Sequence, residues 1–149
     1  MRLHPRLFNR FLIIAAAVSM VAIVGFGFRH SGDQERGFRA NLGDGRALLD
    51  SLAVMPDSRP VTVLFWASWS APSVALLQEL SRDTAHVLIA AYVRDDSTSV
   101  SQAVDVSTSE HLRLMNGTAV FQSLKTPGVP TRVRYGADGR LIEVVVGQP

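Results

Sequence analysis

The sequence predicts an α/β fold built on a central mixed sheet and preceded by one N-terminal transmembrane helix. Three observations carry this reading. An apolar, β-branched and aromatic run, Val61 to Ala67, is followed by a helical stretch opening at Ser70 and by a second apolar run, Val87 to Val93. Strand, helix, strand in that order implies a parallel crossover. Towards the end of the chain, Arg132 to Tyr135 and Arg140 to Val146 flank the turn Gly136-Ala137-Asp138-Gly139, which makes an antiparallel hairpin. Finally, Phe11 to Phe28 is an uncharged apolar run. At about 1.5 Å per residue its length is roughly 27 Å, enough for a bilayer core.

The elements follow in order. Residues 1–10 form a basic tail with Arg2, Arg6 and Arg10 and no acid, and 11–28 form the anchor. Residues 29–41 are polar, charged and glycine-containing, and are expected to be a linker, with the folded domain over 42–149. After the turn Gly43-Asp44-Gly45, the positions Ala47, Leu48, Leu52 and Val54 or Met55 give a short helical stripe ended by Pro56. Val61 to Ala67 reads as a strand buried on both faces. Ser70 opens a helix with Pro72 in its first turn, continuing through Val74, Leu76, Leu77 and Leu80 to about Asp83. The strand Val87 to Val93 ends at Arg94-Asp95-Asp96. Ser97 to Glu110 supports no assignment beyond a helical turn, Leu112 to Leu114 is a short strand, and Thr118 to Lys125 a short helix.

About 110 residues remain after the N-terminal segment, enough for one domain with a modest core and no second. The chain carries a net +2, yet three of its fifteen basic residues lie in the tail, which leaves twelve against thirteen acids beyond it. The folded part is therefore close to neutral, and no basic and aromatic surface for nucleic acid is present. By the positive-inside rule the tail stays cytoplasmic, the chain crosses the inner membrane once, and the domain lies on its outer, periplasmic side. The alternative is secretion after cleavage of a signal peptide near Gly25 and Gly27. There is no cysteine at all, which removes structural disulfides, thiolate metal sites and a lipoprotein acceptor. The four histidines lack ligand spacing, so neither metal nor cofactor is expected.

The segment Phe65-Trp66-Ala67-Ser68-Trp69-Ser70-Ala71-Pro72-Ser73 resembles the W-C-x-P-C motif of membrane-anchored, thioredoxin-like oxidoreductases of the bacterial envelope, the TlpA-like group, with both cysteines replaced by serine. A second segment, Thr126-Pro127-Gly128-Val129-Pro130-Thr131 with the hairpin after it, resembles the G-x-P-T, strand, D-G turn, strand portion that completes a thioredoxin fold. The resemblance implies a three-layer fold in which Pro130 is cis and faces the motif. It also implies disulfide chemistry that this chain has no thiol to perform. Leu64 and Leu76 stand where relatives place acidic or amide residues that tune the thiols, which points to a lineage without redox selection. In the family the first thiol is favoured as thiolate by a helix N-terminus. A serine hydroxyl there stays protonated, and Ser70 and Ser73 are expected instead to cap the helix, a contribution of roughly 1 kcal/mol.

Relatives continue into a last helix, whereas this chain stops at Pro149, so one sheet face is expected to lie uncovered. With Gly136 to Gly139 as the whole loop, Arg132 faces Glu143 and Arg134 faces Leu141. Arg132, Arg134, Leu141, Glu143 and Val145 then share the polar face, and Val133, Tyr135, Ile142, Val144 and Val146 the other.

Three functions follow as expectations. The leading one is a redox-inactive, membrane-tethered domain, not an enzyme, that binds an envelope protein at a groove of Trp69, Ser70, Ala71, Pro72, Ser73, Val129 and Pro130, where an extended peptide needs no thiol. The second is a structural subunit docking on a membrane complex through the exposed sheet face. The third is a thiol-independent enzyme using Ser70, which would need His86 or His111 as a base within about 3 Å.

Overall fold

A computed structural model describes residues 32–54, 58–104 and 110–147. The tail, the expected anchor and the possible cleavage site lie outside the described residues. Among the described residues no helix is long and apolar enough to cross a membrane.

Every side chain of the strand β1 (Val61–Trp66) is buried, because both faces of the sheet are covered there. A parallel strand, β2 (Val87–Tyr92), pairs on one side and an antiparallel one, β4 (Thr131–Tyr135), on the other. The strands β3 (Leu112–Asn116), parallel to β2, and β5 (Leu141–Val146), antiparallel to β4, complete a five-stranded mixed sheet of order β3-β2-β1-β4-β5. On one face Val63, Phe65, Ile89, Val133, Tyr135 and Val144 pack with helices α1 (32–42), α2 (Arg46–Ser51) and α5 (Thr118–Ser123). Phe65 meets Phe121 edge to face, with ring centroids 5.7 Å apart, a geometry that adds about 1 kcal/mol to the burial itself. On the other face Leu64, Trp66, Leu88 and Ala90 pack with Leu76 and Leu77 of α3 (Ala71–Leu80) and Val100 of α4 (Ser97–Ala103).

Two expectations are corrected. The linker expected over 29–41 is helical from 32, and the compact unit begins at Glu35 rather than at 42. Phe38 and Leu42, four residues apart on one helix face, are 0% and 1% exposed in the core. The same helix reaches the sheet's outer edge, where Arg39 donates from Nη2 to the carbonyl of Val144 at 2.7 Å and to Glu35 at 2.9 Å.

The hairpin register is the second correction. Gly136 N donates to Arg140 O and Gly139 takes a φ of +76°, so the loop proper is Ala137 to Gly139, a three-residue turn whose last residue needs the left-handed region. That shifts the pairing by one, setting Tyr135 against Leu141. A bulge at Ile142 shifts it again, setting Arg134 against Glu143 and Arg132 against Val145. Each slip flips the face and two slips cancel. Arg132, Arg134, Glu143 and Val145 thus keep their common face, while Leu141 turns to the core and Ile142 is 63% exposed. The expected Arg132 to Glu143 pair forms diagonally at 3.2 Å, with Arg134 at 3.5 Å from the same oxygen.

Tyr135 anchors the domain's first turn, its buried hydroxyl donating to Gly45 O at 2.9 Å. Gly45 has a φ of +81°, and a Cβ there would meet the Tyr135 ring at 2.6 Å. Burial, with a smaller effect from the Asp44 charge, pushes the phenol well above its ordinary value.

Phe38→Ala is expected to cost about 3–5 kcal/mol in urea unfolding, whereas a residue in a linker would cost nothing measurable. Because the folded phenol titrates above its unfolded value of about 10, the stability Tyr135 contributes is intact below that pH and lost as pH rises through the folded value. Unfolding midpoints between about pH 9 and 11.5 should therefore fall more steeply for wild type than for Tyr135→Phe.

Candidate functional site

The site grows from the C-terminal end of β1. After the buried Trp66 and Ala67 the chain leaves the sheet in a turn closed by Ser70 N donating to Ala67 O at 3.1 Å. Ser68 N donates to Asp95 Oδ2 at 2.6 Å, tying this turn to the loop after β2. Trp69, at the tip between these two fastenings, is 65% exposed.

Ser70 is the N-cap residue of α3, but its side chain makes no cap hydrogen bond, contrary to the expectation. A capping oxygen bonds the N–H of the second or third helical residue. The second is Pro72, which has no N–H. The third is Ser73, whose hydroxyl takes up Ser70 instead, Oγ donating to Oγ at 2.9 Å. Ser73 is completely buried, so this bond satisfies a group that would otherwise be unpaired in the interior. The Ser70 and Ser73 hydroxyls are thus engaged with each other.

Neither candidate base is near them. His86 Nδ1 is 2.8 Å from Asp83 Oδ2, and His111 Nε2 is 2.9 Å from Ser81 O. Both contacts lie beyond the last turn of α3, and ten helical residues separate them from Ser70, about 15 Å. Leu64 and Leu76 belong to one apolar cluster with Trp66 and supply no proton acceptor.

The Val129–Pro130 peptide bond is cis, as the resemblance implied. The loop carrying it is fixed by Thr131 Oγ1 donating to Gly128 O at 2.7 Å and by Gly147 N donating to Pro130 O at 2.8 Å. Thr131 pairs with Phe65, so one step further along the two antiparallel strands Pro130 comes level with Trp66. Register alone brings the two motif segments to the same end of the sheet. Of the seven residues expected to form a groove, Trp69, Ala71 and Pro72 are exposed, Ser70 and Val129 are half-buried, and Ser73 and Pro130 are buried. The last two shape the surface from beneath.

The two acids that follow β2, Asp95 and Asp96, have defined tasks. Asp95 holds the motif turn at Ser68. Tyr92 pairs with Trp66 across the parallel strands, so the residues that follow each strand run together, and this register is the signal by which Asp95 could have been found. Asp96 caps α4, accepting from Thr98 N at 3.0 Å, Ser99 N at 2.9 Å and Ser99 Oγ at 2.7 Å. The Ser99 hydroxyl, followed by its N–H, holds the Asp96 carboxyl below the usual carboxylate range. Among the described residues no group of three or more His, Asp or Glu is placed to hold a metal ion.

No family model matches the chain, and no curated protein sequence matches it. Solved structures do. A secreted Mycobacterium tuberculosis disulfide oxidoreductase homologous to E. coli DsbE is 21% identical over 62% of this chain and 71% of its own, with a TM-score of 0.51. A thioredoxin candidate from Neisseria meningitidis is 22% identical over 63% and 68%, with a TM-score of 0.53. The fold of this chain is thioredoxin-like, and its structural neighbours include thiol-disulfide oxidoreductases.

Since the two hydroxyls already touch, Ser70→Cys with Ser73→Cys is expected to close into an intramolecular disulfide in air. Titration should find no free thiol in the oxidised double variant, and one in either single variant. Two persistent thiols would show that the pair is not held together.

Proposed function

We propose that this chain is a redox-inactive, membrane-tethered thioredoxin-like domain that binds a polypeptide partner at the Trp69 end of the sheet. The observation that carries the reading is Trp69 itself, a large aromatic side chain held in solvent by a turn that is fastened on both sides. A preordered, exposed tryptophan is the residue type enriched at binding hot spots, and ordering it in advance lowers the cost of association. Ala71, Pro72 and Val129 extend this apolar surface, and an extended segment lying along it needs no thiol.

The paired hydroxyls support the redox-inactive part of the proposal. Disulfide exchange requires a thiolate to attack sulfur, and this chain has no cysteine. A nucleophilic serine requires a nearby base, and the two histidines among the described residues are bonded elsewhere. The tether is the apolar run Phe11 to Phe28, oriented by Arg2, Arg6 and Arg10, which places the domain outside the inner membrane.

Purified protein is expected to show no turnover in an insulin-reduction assay, and turnover would end the redox-inactive reading. In photo-crosslinking and pull-down from envelope fractions, Trp69→Ala and Val129→Asp should each reduce recovery of partners about tenfold. Unchanged partners in unchanged amounts would sink the groove. The tether predicts that the chain stays with membranes after alkaline carbonate extraction and that its domain is cut by protease added to spheroplasts. If instead Arg132→Glu with Arg134→Glu abolishes recovery while the groove variants are silent, partners dock on the sheet face, a reading that the half-exposed Arg134 and Glu143 favour.

A further inference from the structure

Beyond the other end of α3, far from Trp69, lies a cavity of about 190 Å³. The end of α3 and the turn after it (Leu80, Asp83), the start of β2 (His86, Leu88) and the two arginines of β4 (Arg132, Arg134) line it. The space is below the roughly 300–1,000 Å³ of a drug-sized pocket, and suits one side-chain-sized group.

Its electrostatics are uneven. At the β4 side two guanidinium groups share a single carboxylate, Glu143 Oε2, at 3.2 and 3.5 Å, and Asp83 on the opposite side feels the charge of Arg134, so the formal charges balance while the guanidinium donors outnumber the acceptors that reach them. Arg132 Nε is buried and makes no hydrogen bond within the protein. Buried donors are normally satisfied, and an arginine offers five. The acid that also lines the cavity is already occupied: Asp83 Oδ1 accepts from Ala85 N at 3.0 Å and Oδ2 meets His86 Nδ1 at 2.8 Å. Leu80 and Leu88 supply an apolar wall between these two polar ends, with Thr62 of β1 next to Leu88 on the arginine side.

We propose that this cavity binds a carboxylate on a short apolar stem, with Arg134 and Arg132 donating to the carboxylate and Leu80 and Leu88 against the stem. Charge-assisted contacts from arginine to a planar carboxylate are the strong class of hydrogen bond. The same chemistry is offered by a free dicarboxylate and by an acidic side chain of a partner protein. The site is independent of the Trp69 surface. Glu143 acts in it as an internal competitor, since it holds the same guanidinium groups that the ligand needs.

This competition sets the test. Full-length protein in detergent micelles is titrated by calorimetry, at fixed ionic strength, with sodium glutarate and with the peptide acetyl-Ala-Leu-Ala-Ala-Glu-Leu-Ala-amide; glutaramide is the uncharged control. Saturable binding of at least one acid is expected, weakened about tenfold by Arg134→Gln and tightened severalfold by Glu143→Gln. Binding of glutarate identifies a site for free small acids, and binding of the peptide alone identifies an acidic protein side chain as the ligand. The proposal is overturned by no saturable binding of either acid to wild type or Glu143→Gln, by equal binding of glutaramide, or by unchanged affinity in Arg134→Gln. Arg134 is partly exposed, so its substitution opens no internal void, and Glu143→Gln gives a gain of affinity that misfolding cannot imitate.

Discussion

The sheet, both helical layers and the turn that carries Trp69 depend on β1 being hydrogen-bonded on both edges and buried on both faces. Five of its six side chains divide between the two apolar clusters, Val61, Val63 and Phe65 in one and Leu64 and Trp66 in the other, so neither layer of helices can form without it. Its parallel pairing with β2 carries the motif turn alongside Asp95, and its antiparallel pairing with β4 brings Pro130 level with Trp66. The site is therefore a product of strand register, with little left for the loops to decide. A central strand of Val, Thr, Leu, Phe and Trp makes that register expensive to change, since a slip by one residue would exchange the two clusters.

On this frame Ser70 and Ser73 have a local, structural role. Pro72 removes one of the two N–H groups that a capping hydroxyl could reach, and Ser73 turns into the interior where it needs a partner. The Ser70 to Ser73 bond answers both conditions at once. Leu64 and Leu76 then complete an apolar layer in which a carboxylate would have to be desolvated at considerable cost. The charged groups of this layer gather elsewhere, on the face where Arg132, Arg134 and Glu143 meet.

Legibility in the sequence tracked the strength of local constraint. The strands β1 and β2 were readable to within a residue because continuous β-branched and aromatic runs leave few alternatives, and the helix at Ser70 was announced by Pro72. The faces of the hairpin came out right for Arg132, Arg134, Glu143 and Val145 although the register did not. Two single-residue slips, one at the left-handed Gly139 and one at Ile142, compensate each other, and neither is encoded in the alternation of side chains. The task of Asp95 could be reached only through the parallel register of β1 and β2, and that of the Ser70 side chain was hidden because it turns on an N–H that is missing at Pro72 and on the burial of Ser73. The helix over 32–42 escaped notice for a different reason. Only Phe38 and Leu42 of its residues enter the core, and a stripe that narrow is lost among polar neighbours.

That helix changes what the outer strand is. Leu141 to Val146 is an apolar, β-prone edge of the kind that invites another chain to pair with it, and the carbonyl of Val144 that would begin the pairing is held by Arg39. The residues that start the domain also close its open side, so a boundary drawn by composition, just after them, would remove a core phenylalanine and uncork the sheet in one cut. Burial of the core and the capping of an edge carbonyl thus share one short segment whose composition advertises neither.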